Sequence, residues 1–296
     1  MIVAVSPWRW HAHPTVWLVM AASAAAYALL LTRVGPGRVA DGEAVVTRRQ
    51  LWSFAVGLGV LWIFSDWPVH DLSERYLFSV HMVQHLGYTL IAPPLLILGM
   101  PQWSLRWLLD DRPLGRLVKQ VARPIPAALI YNAVFAFTHI PAVVDRAVPS
   151  EPLHFCLHLA IFTTALNMWF PVLNPLPDYP RLGNPARMVY LFLQSILPTV
   201  PAAFLTLGDG VVYHFYATVP HPWISAIDDQ QLAGAIMKVY GGLILWGCII
   251  VMFFRWYAQS QPSKKGDILR WDDVERELER TAPPPTTPSG TSGPPR

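Results

Sequence analysis

Charge and cysteine are both scarce in this chain of 296 residues. Asp, Glu, Lys and Arg make up only 14% of it, against about 25% in ordinary soluble domains, while 53% is hydrophobic and the mean hydropathy is +0.34. That balance excludes the soluble classes and indicates a polytopic membrane protein. The two cysteines, Cys156 and Cys248, fall at different depths of different predicted spans and neither belongs to a CxxC pair. A disulfide between them is therefore not expected. HExxH and comparably specific catalytic motifs are missing. The N-terminus has no basic segment leading into a short apolar run and a small-residue cleavage site, so the first span is expected to be retained as a helix. No internal repeat is present. The net charge of +3 is not gathered into a basic patch interleaved with aromatics, which excludes nucleic acid as a partner.

What the chain has instead is long apolar runs. Stretches of about 20 apolar residues occur at 14–33, 51–69, 75–99, 124–141, 152–172, 187–208 and 232–257. The expected fold is all-α, with seven transmembrane helices and termini on opposite sides of the bilayer. Lys and Arg set the direction, because cytoplasmic loops retain positive charge. Segments 33–50, 100–123 and 173–187 and the tail from Arg255 hold 18 of the 22 cations, whereas the opposite side has only Arg9, Arg75 and Arg146. The expectation is an extracytoplasmic N-terminal segment (1–13), a membrane domain (14–257) and a cytoplasmic tail (258–296) in a multi-pass protein. Within the tail, 267–281 places Leu269, Val274 and Leu278 near helical spacing among charges, which suits a short amphipathic helix. The Pro-rich end after it has too few apolar residues to bury and is expected to be disordered.

With that topology all ten histidines fall outside the membrane or in its outer half. His81 and His85 share one helical face at i, i+4 in the third span, and His154 and His158 repeat the spacing in the fifth. At about 1.5 Å per residue, His81 lies roughly 7–8 Å and His158 roughly 9 Å into their spans, so the two are nearly level. Two such facing ledges supply three or four nitrogen ligands to a metal ion. His139 ends the fourth span close by. Met82, beside His81, offers a thioether suited to Cu(I), although core packing accounts for a lone methionine equally simply. His11, His13, His214 and His221 read first as surface residues, with accessory metal capture as the alternative.

A bare charge in hydrocarbon is costly, so each buried ionisable residue needs a role. Asp66 and Asp229 are candidates to accept hydrogen bonds from ligand imidazoles and fix their tautomers. Lys238 is expected in a structural ion pair with Asp66, Asp228 or Asp229. Pro93 and Pro94 must interrupt backbone bonding below the histidines of the third span.

The run His81-Met-Val-Gln-His85, followed by Leu90-Ile-Ala-Pro-Pro-Leu-Leu-Ile-Leu-Gly-Met-Pro101, resembles the signature of the caa(3)-type cytochrome c oxidase assembly factor family, the CtaG membrane proteins. His154-Phe-Cys-Leu-His158 with Asn167-Met-Trp-Phe-Pro171, and Asp229-Gln-Gln-Leu-Ala-Gly-Ala-Ile-Met237, are similar to two further stretches of it. The likeness covers roughly 45–257. It implies a seven-helix plasma-membrane protein with no turnover of its own that assists assembly of the haem–copper oxidase. Its implied partners are the oxidase subunits and the lipid bilayer, and its implied cargo is copper. His81, His85 and His158 would form the metal site, with His139, His154, Asp66 and Asp229 around it. Two other readings use the same histidines. One is an intramembrane zinc hydrolase, with Asp66 or Asp229 as base; the other is a haem protein with axial imidazoles from two spans.

Overall fold

The computed structural model describes residues 8–261 and 271–281. The far N-terminal residues, Leu269 and the Pro-rich end expected to be disordered lie outside the described residues. Those described form helices and connecting loops, with no strand among them.

The helices are α1 (Pro14–Leu29), α2 (Arg48–Ser65), α3 (Val69–Arg75), α4 (Phe78–Leu86), α5 (Ala92–Gly99), α6 (Gln102–Leu109), α7 (Pro113–Val121), α8 (Pro124–Thr138), α9 (Pro141–Ala147), α10 (Glu151–Leu173), α11 (Asn184–Ile196), α12 (Thr199–Leu207), α13 (His214–Thr218), α14 (Ala226–Ser260) and α15 (Trp271–Thr281). Six stretches are long and apolar enough to cross a bilayer: Pro14–Gly37, Arg48–Arg75, Phe78–Gly99, Glu151–Leu173, Asn184–Leu207 and Ala226–Ser260. A seventh exists if α7 and α8, bent by 86° at their junction, count as one span. The expected span at 124–141 is thus a helix of 15 residues, about 22 Å long, which falls short of a hydrocarbon core of about 30 Å. It stops where His139 leaves the helix and Pro141 opens the next one.

Burial separates the central helix from the peripheral ones. In the most apolar stretch of Phe78–Gly99, 61% of residues are buried within the protein, against 6% for each of the first two spans. Outward-facing side chains such as Leu207, Ile125, Trp52 and Phe204 are almost wholly apolar and exposed. Lipid is the solvent that suits such a surface, because hydrocarbon contact costs these groups nothing.

The central span is one rod made of two helices, with Gly87–Ile91 forming a wider π turn between α4 and α5. Its cause is in the sequence. Pro93 and Pro94 carry no N–H, so Thr89 and Leu90 cannot receive their usual i+4 bonds. The Trp169 indole on α10 donates to Thr89 O instead, at 2.9 Å. An orphaned carbonyl in an apolar core is thereby satisfied, and α10 is pinned to the central span. Tyr27 on α1 stacks on Phe54 of α2, ring centroids 3.7 Å apart, and donates to Gly99 O at 2.8 Å.

The 100–123 connection, read from sequence as a loop, contains α6 and α7. In α7 the cations Arg116 and Lys119 alternate with Leu117, Val118 and Val121, the pattern of a helix lying along an interface. Of the tail segment 267–281, residues 271–281 are described and are helical, with Leu278 exposed.

Close helix packing yields a test. A Cβ at Gly99 would stand 2.6 Å from the backbone nitrogen and 2.8 Å from the Cα of Phe54, neither of which can move aside as a side chain can. Gly99→Ala is expected to destabilise the protein by about 1–3 kcal/mol, read as a lowered thermal unfolding midpoint in detergent. An unchanged midpoint would mean that α2 and α5 do not approach so closely.

Candidate metal centre

Four histidines converge from α4 and from the N-terminal part of α10. His81 and His85 lie one turn apart on α4, and His154 and His158 one turn apart on α10. One nitrogen from each of His81, His85 and His158 can be chosen so that all three lie within 4.8 Å of one another. Ring centroids are 4.5 Å apart for His81 and His85, 5.5 Å for His81 and His158, and 5.1 Å for His85 and His158. His154 completes the array, 4.1 Å from His158 and 5.4 Å from His81. A cavity of about 20 Å³ sits among these four rings, closed on one side by Thr138, Val144, Ala147 and Val148.

Each element is held in place by a contact outside the array. Leu77 gives α4 no side-chain cap. Asp229 of α14 does so from a distance, accepting from Phe78 N at 2.6 Å and Ser79 N at 3.1 Å. A carboxylate at a helix N-terminus is favourable for both the hydrogen bonds and the dipole. Gln84, between the two histidines, donates to Phe64 O at 2.6 Å, where α2 ends and leaves carbonyls unpaired. On α10, His154 Nδ1 meets Glu74 Oε1 at 2.5 Å. His139 Nδ1 lies 2.7 Å from Phe135 O, its ring 6.2 Å from that of His85.

These contacts fix tautomers. A carbonyl or carboxylate oxygen only accepts here, so Nδ1 of His154 and of His139 carries the proton and each Nε2 is left with a lone pair. Both Nε2 atoms are buried and have no hydrogen-bond partner among the described residues. The same holds for His81 Nδ1, both nitrogens of His85, and His158 Nε2. Buried polar atoms are normally paired, because an unpaired one costs roughly 1–3 kcal/mol. These six atoms lie on five neighbouring rings, and since a neutral imidazole has one lone-pair nitrogen, the rings offer up to five donors to a metal ion. With bonds of about 2.0–2.1 Å, a trigonal site needs donors about 3.6 Å apart, so an ion would draw the widest pair together by roughly 1 Å.

The loop before α14 covers the array. Tyr213 donates to His139 O at 3.1 Å and Tyr216 to Ser73 O at 2.8 Å. Burial, reinforced by the charge of Asp145, pushes the Tyr213 phenol well above its ordinary pKa, so it remains a donor.

Comparison with known proteins agrees with this architecture. The family model described as cytochrome c oxidase caa3 assembly factor (Caa3_CtaG) matches residues 25–259. The chain belongs to that family. Its relatives include the uncharacterized proteins Mb0105 of Mycobacterium bovis and MT0111 of Mycobacterium tuberculosis, each 26% identical over 248 residues, covering 75% of this chain and 37% of the relative. ML1998 of Mycobacterium leprae is 23% identical over 208 residues, 62% of this chain and 30% of that protein. The chain therefore spans about a third of the length of these curated relatives. No solved structure matches it.

Against the sequence reading, His81, His85, His158 and His154 come together, and His139 borders them. Met82 is buried in the core beside His85. Asp229 supports α4 through its backbone and not through an imidazole. Asp66 is not brought to the histidines; it accepts from the Trp17 and Trp62 indoles at 2.7 and 2.8 Å and from Trp67 N. The ion pair expected for Lys238 is not formed either. Its ammonium donates to Thr199 Oγ1 at 2.6 Å, while Asp228 bonds Ser225. Lys238 and Asp229 are nine residues apart on one helix, about half a turn out of phase, so they face opposite ways. Glu74, which the sequence reading missed, is the carboxylate that orients an array histidine. Its signal was its place seven residues before His81, between the second and third spans.

Glu74→Gln is expected to weaken ion binding by the array about 10–100-fold, measured by competition with a chelator of known affinity. Unaltered affinity would show that the ring of His154 needs no carboxylate.

Proposed function

We propose that this protein binds copper at His81, His85 and His158, with His154 and His139 as neighbouring donors, and releases it to a cytochrome c oxidase subunit by ligand exchange during assembly. The observation that carries this reading is the group of three imidazoles within 4.8 Å, His81 and His85 buried and His158 half-buried, with nitrogens that have no hydrogen-bond partner among the described residues. Imidazole suits copper and zinc alike, so the choice rests on the surroundings. A second cavity of about 40 Å³ adjoins His85 and His139 and is lined by Met82, Met168 and Met237. Thioethers select Cu(I) over zinc.

The hydrolase reading needs a base beside the metal. Asp229 is committed to two backbone amides and Asp66 to three tryptophans, which removes both of its candidates. Cavities of about 20 and 40 Å³ are too small for a haem macrocycle. The bias of Lys and Arg supports an orientation with the histidine end outside the plasma membrane and the C-terminus in the cytoplasm. That places the copper site on the side facing away from the cytoplasm, within the outer leaflet.

Elemental analysis of detergent-purified protein tests the proposal. Wild type is expected to carry copper, the His81→Ala/His85→Ala variant to lose the ion of the buried array while still inserting, and His221→Ala to keep it, since His221 is engaged with Tyr216 O outside the array. Zinc in place of copper, or no metal in the wild type, would overturn the assignment.

A further inference from the structure

A second group of histidines lies on the N-terminal side of the array, in part beyond the family match at 25–259. His11 and His13, just before α1, both reach Asp71 on α3. His11 Nδ1 is 3.0 Å from Asp71 Oδ1, and His13 Nε2 is 2.9 Å from Asp71 Oδ2. The ring of His70 stands edge-on to that of His13, centroids 5.0 Å apart. Asp71 is 3% exposed, and its other cationic neighbour, Arg75, stands off at 3.6 Å.

The contact between His11 and Asp71 is close without being a hydrogen bond. Neither His11 Nδ1 nor Asp71 Oδ1 has a hydrogen-bond partner among the described residues, although both are buried and lie side by side. Two imidazoles that converge on the two oxygens of one buried carboxylate form a three-residue set that can close on a common cation. An imidazole pair with a carboxylate is also the donor mixture that divalent transition metals accept.

From here the groups continue inward without a gap. His70 Nε2 is 3.4 Å from Glu74 Oε1, and the same oxygen meets His154 Nδ1 in the array. We propose that His11, His13 and Asp71, with His70 beside them, form a capture site for a divalent transition-metal ion at the mouth of the buried array. Cu²⁺ captured there passes along His70, Glu74 and His154 to the imidazoles of the array, which hold it without change of oxidation state; the methionine-lined cavity is not part of this path. The capture site stands on its own contacts, and only the passage inward rests on the function proposed above.

Equilibrium dialysis of the purified full chain against Cu²⁺, followed by elemental analysis and X-ray absorption, separates the two. Wild type is expected to hold two ions, and His11→Ala/His13→Ala and His81→Ala/His85→Ala one each. The ion left in the latter variant should show mixed nitrogen and oxygen ligation. Asp71→Asn should lower occupancy of the same site with both imidazoles still present. A His11→Ala/His13→Ala protein that takes up as many ions as wild type would overturn the capture site. Unchanged uptake by His81→Ala/His85→Ala would instead overturn the buried site and leave the capture site standing.

Discussion

Hydrocarbon offers no hydrogen bonds, so every polar group placed in it must find a partner within the protein. Nearly all of the buried polar groups here obey. Gln84 closes the end of α2, Asp229 caps α4, and Trp169 answers the carbonyl that Pro93 leaves bare. The largest group of exceptions among the described residues is the imidazole array, where six buried nitrogens on five neighbouring rings have no hydrogen-bond partner. Scattered exceptions would be packing compromises. A concentration of lone pairs facing a small cavity is an arrangement that a cation completes.

The surroundings show how such a concentration is kept from collapsing. Left to themselves, neighbouring neutral imidazoles would pair with one another, one N–H to one lone pair. Here the acceptors for their protons come from elsewhere. Glu74 and the Phe135 carbonyl take the protons of His154 and His139 and turn the remaining lone pairs inward. The motif His-Met-Val-Gln-His can be read in the same way, position by position. Its histidines face the array, its methionine borders the second cavity, and its glutamine fastens the helix to its neighbour.

Much of this was legible in the sequence, for definite reasons. Spacing of i, i+4 in two apolar runs places two pairs of side chains on two faces, and counting residues from the span ends sets their depth. Depth is one coordinate, whereas pairing needs rotation as well. Asp66 and Lys238 were assigned by depth, and the structure turns them to tryptophans and to a threonine. Glu74 and Asp71 escaped because they occupy α3, a seven-residue helix that a scan for 20-residue runs passes over. Membership of the family followed from contiguous motifs. The cations of 112–123 set the start of the span at Pro124, but composition left no trace of the helical state of α7 or of its angle to α8.

The bond from Trp169 to Thr89 O has a mechanical meaning beyond satisfying a carbonyl. It joins α4–α5 to α10 well below the level of the imidazoles, and the contact of His154 with Glu74 ties α10 above to α3, the helix that leads into α4. Parallel rods fastened at two heights can neither slide nor roll, since a slip of one residue means about 1.5 Å and 100° at every ring. The jaws of the site are therefore rigid, and an ion must come and go by the turning of single imidazoles about their own bonds.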